Sequence, residues 1–186
     1  MNNWYRIMIK NAEEIKDRIL YIMRSPSCAG KSTLAQELGK GGVVFSTDDF
    51  FMKDGKYVFN PKLLGTAHKW NFNRAKQAMD RSISPVVIDN TNTTLREMHG
   101  YVRAAKDHGY EIKFTEPNWN PELRTQEGKW NFDFIRDLQA RRGSESGKKV
   151  PEEAVKRMID RYEYRNPDET DEELADRILH GGGYKE

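Results

Sequence analysis

The sequence predicts an α/β protein in which a mostly parallel sheet carries helices on both faces. Three observations predict it. Short apolar runs at 19–23, 43–45 and 85–88 have the length of buried strands. Amphipathic segments of helical period separate them, the alternation that builds a parallel sheet covered on both sides. The first run also passes through the tight loop Ser25-Pro-Ser-Cys-Ala-Gly-Lys-Ser32 directly into a helix-forming segment, a strand-loop-helix unit of the kind that feeds a crossover to a parallel neighbour. At 186 residues and 21.7 kDa, one domain with a sizeable core is expected across 1–186.

Residues 1–18 read as an N-terminal arm in which Trp4-Tyr5-Arg-Ile-Met-Ile9 has strand character and a charged segment follows. The loop after 19–23 fits G-x-x-x-x-G-K-[ST], the Walker A phosphate-loop pattern, except that Ser25 stands at the first glycine. Serine tolerates φ > 0 less well than glycine, so the entrance of the loop is expected to differ. Amides at a helix start point at an anion, and the helix dipole favours negative charge there. Ser27, Cys28, Ala29, Gly30, Lys31, Ser32 and Thr33 are accordingly the candidate ATP-binding residues, with Lys31 reaching the β/γ-phosphates and Ser32 a ligand of Mg²⁺.

Helix is expected over 32–40, with Leu34 and Leu38 inward and Gly39, Gly41 and Gly42 ending it. The strand at 43–45 runs into Ser46-Thr-Asp-Asp-Phe-Phe51, so Asp48 and Asp49 stand at a strand's carboxyl end, where open α/β sheets bind ligands. Residues 52–60 read as a hairpin turning at Asp54-Gly55. Asn60-Pro61 signals a helix start, and from about 62 to 82 a helix is expected with His68, Phe72, Ala75 and Met79 as its stripe. The strand at 85–88 ends in Asp89-Asn-Thr-Asn92. Thr94-Leu-Arg-Glu97 reads as a capping box for a helix burying Met98, Tyr101, Val102 and Ala105; Gly109 stops it, and 110–114 alternates as a strand.

Residues from about 116 to 150 break this rhythm, with Pro117, Trp119, Pro121 and Trp130 among charges, and read as a mobile lid. A short helix is expected there over 132–142, with Gly143-Ser-Glu-Ser-Gly147 as a flexible link. Pro151 opens another helix, its inner face Ala154, Val155, Met158, Ile159 and Tyr162. Thr170-Asp-Glu-Glu173 caps a last helix ending at Gly181, within an acidic C-terminal helix and tail at 168–186.

Lys+Arg 31 against Asp+Glu 29 leaves a net charge of +2. With a pI near 8.5, this falls short of a dedicated nucleic-acid binder, so any polyanion site is local. A mean hydropathy of −0.88 argues for a thin core and a charged periphery. The absence of an eighteen-residue apolar run or a secretory h-region argues against a membrane span. The single cysteine, Cys28, has no disulfide partner, and a reducing, cytoplasmic setting is expected.

Phosphoryl transfer needs a cradle, a metal, a group that takes the acceptor's proton, and cations on the migrating phosphate. Asp48 is the candidate general base, a role that contributes about 10²–10⁴-fold. Asp49 is its competitor, and the same Ser-Thr-Asp-Asp run also suits a turn cap. Asp89 suits either a Mg²⁺ ligand or an Asx-turn. Arg141 and Arg142, beside Arg136, Lys148 and Lys149, suit either a clamp on the γ-phosphoryl group or a solvated helix end. Arg74 is a candidate for an acceptor phosphate and equally for the surface. Asn90 and Asn92 shape their loop, Asn92 also being carried as a substrate contact. His68 reads as a structural histidine, and Trp119 and Trp130 as packing residues ahead of base-stacking ones.

The ordered blocks Ala29-Gly-Lys-Ser-Thr33, Phe45-Ser-Thr-Asp-Asp-Phe-Phe51, Phe59-Asn-Pro61, Ala67-His-Lys-Trp-Asn71 with Arg74-Ala75, Ile88-Asp-Asn-Thr-Asn92, Glu116-Pro117, Ala140-Arg-Arg142 and Arg161-Tyr-Glu163 carry a family resemblance. From about residue 19 to 162 the chain resembles the P-loop kinases of the polynucleotide 5′-hydroxyl kinase group, especially the kinase-like domains of Nedd-binding proteins. The resemblance implies a P-loop NTPase fold with an adenylate-kinase-like lid, ATP and Mg²⁺ use, phosphorylation of a hydroxyl, Asp48 as the general base, and Arg141 and Arg142 as lid arginines. Three departures stand out. Ser25 replaces the first loop glycine, Phe51 replaces an arginine of the viral polynucleotide kinases, and Gly-Ser-Glu-Ser after Arg142 replaces a histidine-containing turn.

The expected function is therefore an ATP-dependent kinase acting on a nucleic-acid hydroxyl, most simply the 5′-OH end of DNA or RNA, with that end as substrate partner and no membrane. A kinase of a nucleoside, another small-molecule hydroxyl or a modified DNA base keeps the machinery and changes the acceptor; an ATP-binding adaptor keeps the cradle and has no use for Asp48.

Overall fold

The computed structural model describes residues 18–146 and 150–181. The expected strand at 4–9 and residues 147–149 of the expected link lie outside the described residues. The main elements are β1 (Ile19–Met23), α1 (Lys31–Leu38), β2 (Val43–Phe45), the hairpin strands β3 (Met52–Lys53) and β4 (Lys56–Tyr57), α2 (Leu64–Asp80), β5 (Val86–Ile88), α3 (Leu95–Asp107), β6 (Glu111–Thr115), α4 (Phe132–Ser146), α5 (Glu152–Asp160) and α6 (Asp171–His180).

Period-two alternation decides the sheet. Its order is β2-β5-β1-β6 with every pairing parallel, and Leu20 lies opposite both Val86 and Ile112. Leu20, Ile22, Val86 and Ile88 face one way, into the core formed with α2, α3 and α6. Met23 and Val87 face the other way, under Ala35, Leu34 and Leu38 of α1. Helices therefore cover both faces, and the carboxyl ends of β1, β2 and β5 open on one edge. A third apolar cluster gathers Leu123, Trp130, Ile135, Leu138, Val155 and Tyr162 around Ala29 of the phosphate loop. Burying side chains of this size contributes about 1.5–3 kcal/mol each, so the segment after β6 is anchored to the loop it overlies.

Four local expectations are corrected. Helix α2 begins at Leu64, after a 3₁₀ turn at Pro61–Leu63 capped by the Asn60 side chain (3.0 Å to the Lys62 amide). Its buried stripe is Ala67, Asn71, Ala75, Ala78 and Met79, which leaves His68 on the rim. Small alanines let this helix approach its neighbours closely, and the bulkier residue is displaced outward. The capping box expected at Thr94 does not form. Glu97 instead accepts from the Thr93 amide (2.8 Å), and Glu163 takes the Leu95 amide (2.5 Å), a partner far along the chain replacing a local cap. Finally, α4 continues through Ser146 where a flexible link was expected. One glycine inside a helix costs only about 1 kcal/mol, less than the helix can recover by propagating. The capping box at Thr170 and Glu173 does form. Among the described residues no helix is long and apolar enough to cross a membrane.

Candidate functional site

The loop after β1 owes its shape to two left-handed residues, Cys28 (φ 71°) and Gly30 (φ 91°). Ser25 is not among the left-handed residues, so a glycine is not required there; it is buried, with its amide on the Thr91 carbonyl (3.0 Å) and its hydroxyl on the Pro26 carbonyl (2.9 Å). Gly30 caps α1 in that left-handed conformation without a side-chain cap. Among the described residues the amides of Ala29, Gly30, Lys31 and Ser32 donate to no backbone carbonyl. Successive unpaired amides at a helix start make a concave anion site. Ser32 and Thr33 are exposed at its mouth. Trp119 closes one side, its Nε1–H donating to the Ala29 carbonyl (2.8 Å).

The loops after β2 and β5 are tied together beside this cradle. The Asp89 amide donates to the Phe45 carbonyl (2.9 Å), and the Thr47 amide to Asn90 Oδ1 (2.9 Å). Ser46 caps the 3₁₀ turn Thr47–Phe51, its hydroxyl accepting from the Asp48 amide (3.2 Å). That turn aims the two candidate carboxylates differently. Asp49 is exposed, accepts from the Ser46 amide (3.3 Å) and pairs with Arg74 (3.0 Å), whose guanidinium also stacks over Phe45 and Trp70. Asp48 points into a cavity of about 290 Å³ that it lines together with Ser27, Lys31, Asp89 and His68. There the Tyr57 hydroxyl donates to Asp48 Oδ1 (2.9 Å). Burial, reinforced by the Asp48 charge and that hydrogen bond, raises the pKa of Tyr57 and keeps it a donor.

Lys31 Nζ lies 3.6 Å from Asp89 Oδ1, an oxygen that is buried and without a hydrogen-bond partner among the described residues. A buried carboxylate oxygen in that state calls for a cation or water. Asp89 therefore suits a bound cation such as Mg²⁺, and the Ser32 hydroxyl is exposed at the mouth of the cradle. Among the described residues no cluster of three or more His, Cys, Asp or Glu can hold a metal, so such an ion would draw further ligands from a bound triphosphate.

Not every expected residue joins the cavity. Asn92 touches it, but its amide donates to the Met23 carbonyl (2.8 Å), and it adopts φ 45°. Arg141 is exposed on α4 and is not among the lining residues; for Arg142 only the backbone, within α4, is described. The arginine that does line the cavity is Arg161, held by the Thr93 hydroxyl (2.8 Å) and Glu97 (3.2 Å). His68 sits at the rim with Nδ1 3.3 Å from Thr47 Oγ1, and burial of its ring lowers its pKa against the opposing charges of Glu97 and Asp48. Sequence reasoning missed Tyr57 and Arg161 as site residues. Arg161 had a signal in the block Arg161-Tyr-Glu163, while Tyr57 had none beyond its place in the hairpin.

Behind the cradle, Arg24 is fully buried. Its guanidinium reaches the Glu163 carbonyl (2.5 Å), the Asn92 carbonyl (3.4 Å) and, as an ion pair at 3.6 Å, Glu116. Glu116 also binds Arg124 and accepts from the Tyr162 hydroxyl (2.5 Å). This network joins the ends of β1 and β6 to the segment after α5.

A family model described as an AAA domain matches residues 20–164. Human NEDD4-binding protein 2 is 40% identical over 149 residues, 78% of this chain and 8% of that protein, so the chain spans a small part of that relative's length. A chain of the Pnkp1/Rnl/Hen1 RNA repair complex superimposes with a TM-score of 0.60 at 20% identity, over 78% of this chain and 44% of the other.

Proposed function

The chain belongs to the AAA domain family and has a P-loop kinase fold, and from that premise we propose that it is an ATP-dependent kinase transferring the γ-phosphoryl group to a nucleic-acid hydroxyl, most directly a 5′-OH end. The observation that carries the reading is that Lys31, at the head of the cradle, and Asp48, oriented by Tyr57, line one cavity. A nucleotide binder without chemistry needs the first and not the second. The relative in an RNA repair complex supports a nucleic-acid acceptor as analogy of fold alone.

The amides of Ala29 to Ser32 and the Lys31 ammonium hold the β- and γ-phosphates. Ser32 and Asp89 would hold Mg²⁺, which when bound spreads the charge of those phosphates. Asp48 takes the acceptor's proton as its O–H bond breaks; the new O–P bond forms at the γ-phosphorus, and the bond to the bridging oxygen breaks to release ADP. Tyr57 holds the base in place. Arg161 supplies charge from within the cavity, and Arg141 and Arg142, from the 116–150 lid of a single domain, are the further cations offered to the γ-phosphoryl group.

Labelled ATP offered with 5′-OH oligonucleotides, duplexes and mononucleosides tests this. Label is expected on the oligonucleotide, and Asp48→Ala is expected to lower kcat by about 10²–10⁴-fold with ATP binding intact. Label on no acceptor, or near-full activity of Asp48→Ala, overturns it.

A further inference from the structure

The hairpin and the turn after it leave an apolar surface in solvent. Met52 is 48% exposed, Val58 and Phe59 50% each, and Leu63 40%. Single exposed apolar residues are ordinary, but a group of them beside a cavity marks a contact surface. Phe59 belongs to both, since it also lines the cavity next to Tyr57. Its ring lies within 9° of parallel to that of Tyr57, centroids 6.3 Å apart. Both stand at steep angles to Phe51, at 5.0 Å and 6.2 Å, and Phe51 is buried. The pair is thus propped from below, with Phe59 exposed.

The charge around this platform is one-sided. Between 52 and 70 the chain carries Lys53, Lys56, Lys62 and Lys69 against one acid, Asp54, although the whole chain has a net charge of only +2. All four lysines are exposed. An exposed aromatic face on a lysine-rich segment matches the chemistry of unpaired bases, which stack, joined by phosphates, which pair with cations. A purely apolar protein partner has no use for the lysines. Blunt duplexes keep their bases stacked inside.

We infer that this surface is a single-strand site, on which a base of an unpaired nucleic-acid segment stacks on Phe59 while neighbouring phosphates meet Lys53, Lys56 and Lys62. Strand binding stands on these residues alone; that the bound strand is the phosphate acceptor rests on the kinase reading. Tyr57 links the two, with its ring beside the platform and its hydroxyl on Asp48.

The test is fluorescence anisotropy of a labelled single-stranded oligonucleotide, with phosphorylation kinetics alongside. Phe59→Ala is expected to weaken strand binding by about 5- to 160-fold, the range of one lost base–aromatic stack, and Phe59→Trp to keep it. The triple Lys53→Ala, Lys56→Ala, Lys62→Ala variant is expected to lower the slope of log affinity against log salt by about 2, three phosphate contacts at roughly 0.7 each. In the kinase assay the KM for the strand rises with Phe59→Ala while the KM for ATP serves as internal control. Equal strand affinity in wild type and Phe59→Ala, or equal affinity for blunt duplex and single strand, overturns the inference. Phe59-dependent binding with no label on any acceptor leaves the surface standing and removes the kinase reading instead.

Discussion

Replacing Gly30 by alanine probes the cradle at its tightest point. At φ 91° the residue is left-handed, a conformation that costs a residue with a Cβ about 1–2 kcal/mol. The added Cβ would lie 2.5 Å from Trp119 Nε1 and 3.1 Å from its Cδ1, so the indole must leave. With it goes the 2.8 Å hydrogen bond to the Ala29 carbonyl, a loss of about 0.5–1.5 kcal/mol. Together these give a destabilisation of about 1.5–3.5 kcal/mol, or a fall in Tm of about 3–14 °C for a chain of this length. A double-mutant cycle separates the two parts. Trp119→Ala alone loses the bond; the double variant Gly30→Ala, Trp119→Ala has no ring left to displace, so it carries the backbone strain and the lost bond once, where the singles count that bond twice. Denaturant unfolding of the four proteins should therefore give a double variant less destabilised than the sum of the singles by at least about 0.5 kcal/mol, outside the additivity of independent sites. Additive singles would refute the clash, and an unchanged Gly30→Ala protein would refute the left-handed cradle itself.

Two further perturbations address the surroundings of the site. Arg24→Met leaves Glu116 to Arg124 and Tyr162 and takes the donor from the Glu163 and Asn92 carbonyls, an expected cost of about 1–3 kcal/mol; Arg24→Lys should recover little, since an ammonium cannot fork to three elements at once, and a Tm within about 1 °C of wild type for Arg24→Met would contradict the network. His68, whose pKa burial lowers, is neutral in the fold where the unfolded chain takes up a proton. Its contribution is present above the unfolded pKa of about 6.5 and is lost as pH falls through that value toward the lower folded pKa. Urea unfolding of wild type and His68→Gln between pH of about 5 and 7.5 should show stability falling less steeply toward acid in the variant, and parallel curves would exclude the assignment.

Much of the site was legible because its chemistry is local. The strands at 19–23 and 43–45, the cradle through Gly30 and Lys31, and the carboxylates at the ends of β2 and β5 follow from period, turn chemistry and spacing, which are properties of near neighbours in the chain. The consequence of Ser25 was less legible. A motif marks the position of a glycine but not its dihedral angle, and the left-handed demand falls on Cys28 and Gly30.

By itself, then, the sequence determined the parallel α/β architecture and the loop that holds a phosphate, since hydrophobic period and backbone freedom are written residue by residue. Tertiary structure alone decided which carboxylate faces the cavity and what surrounds it. The Tyr57 hydroxyl reaches Asp48 across a hairpin, Glu163 caps a helix 68 residues away, and Arg24 donates to a carbonyl 139 residues distant. The physical reason is that a buried charge or an unpaired amide needs a partner in space, and chain distance carries no information about which group will supply it.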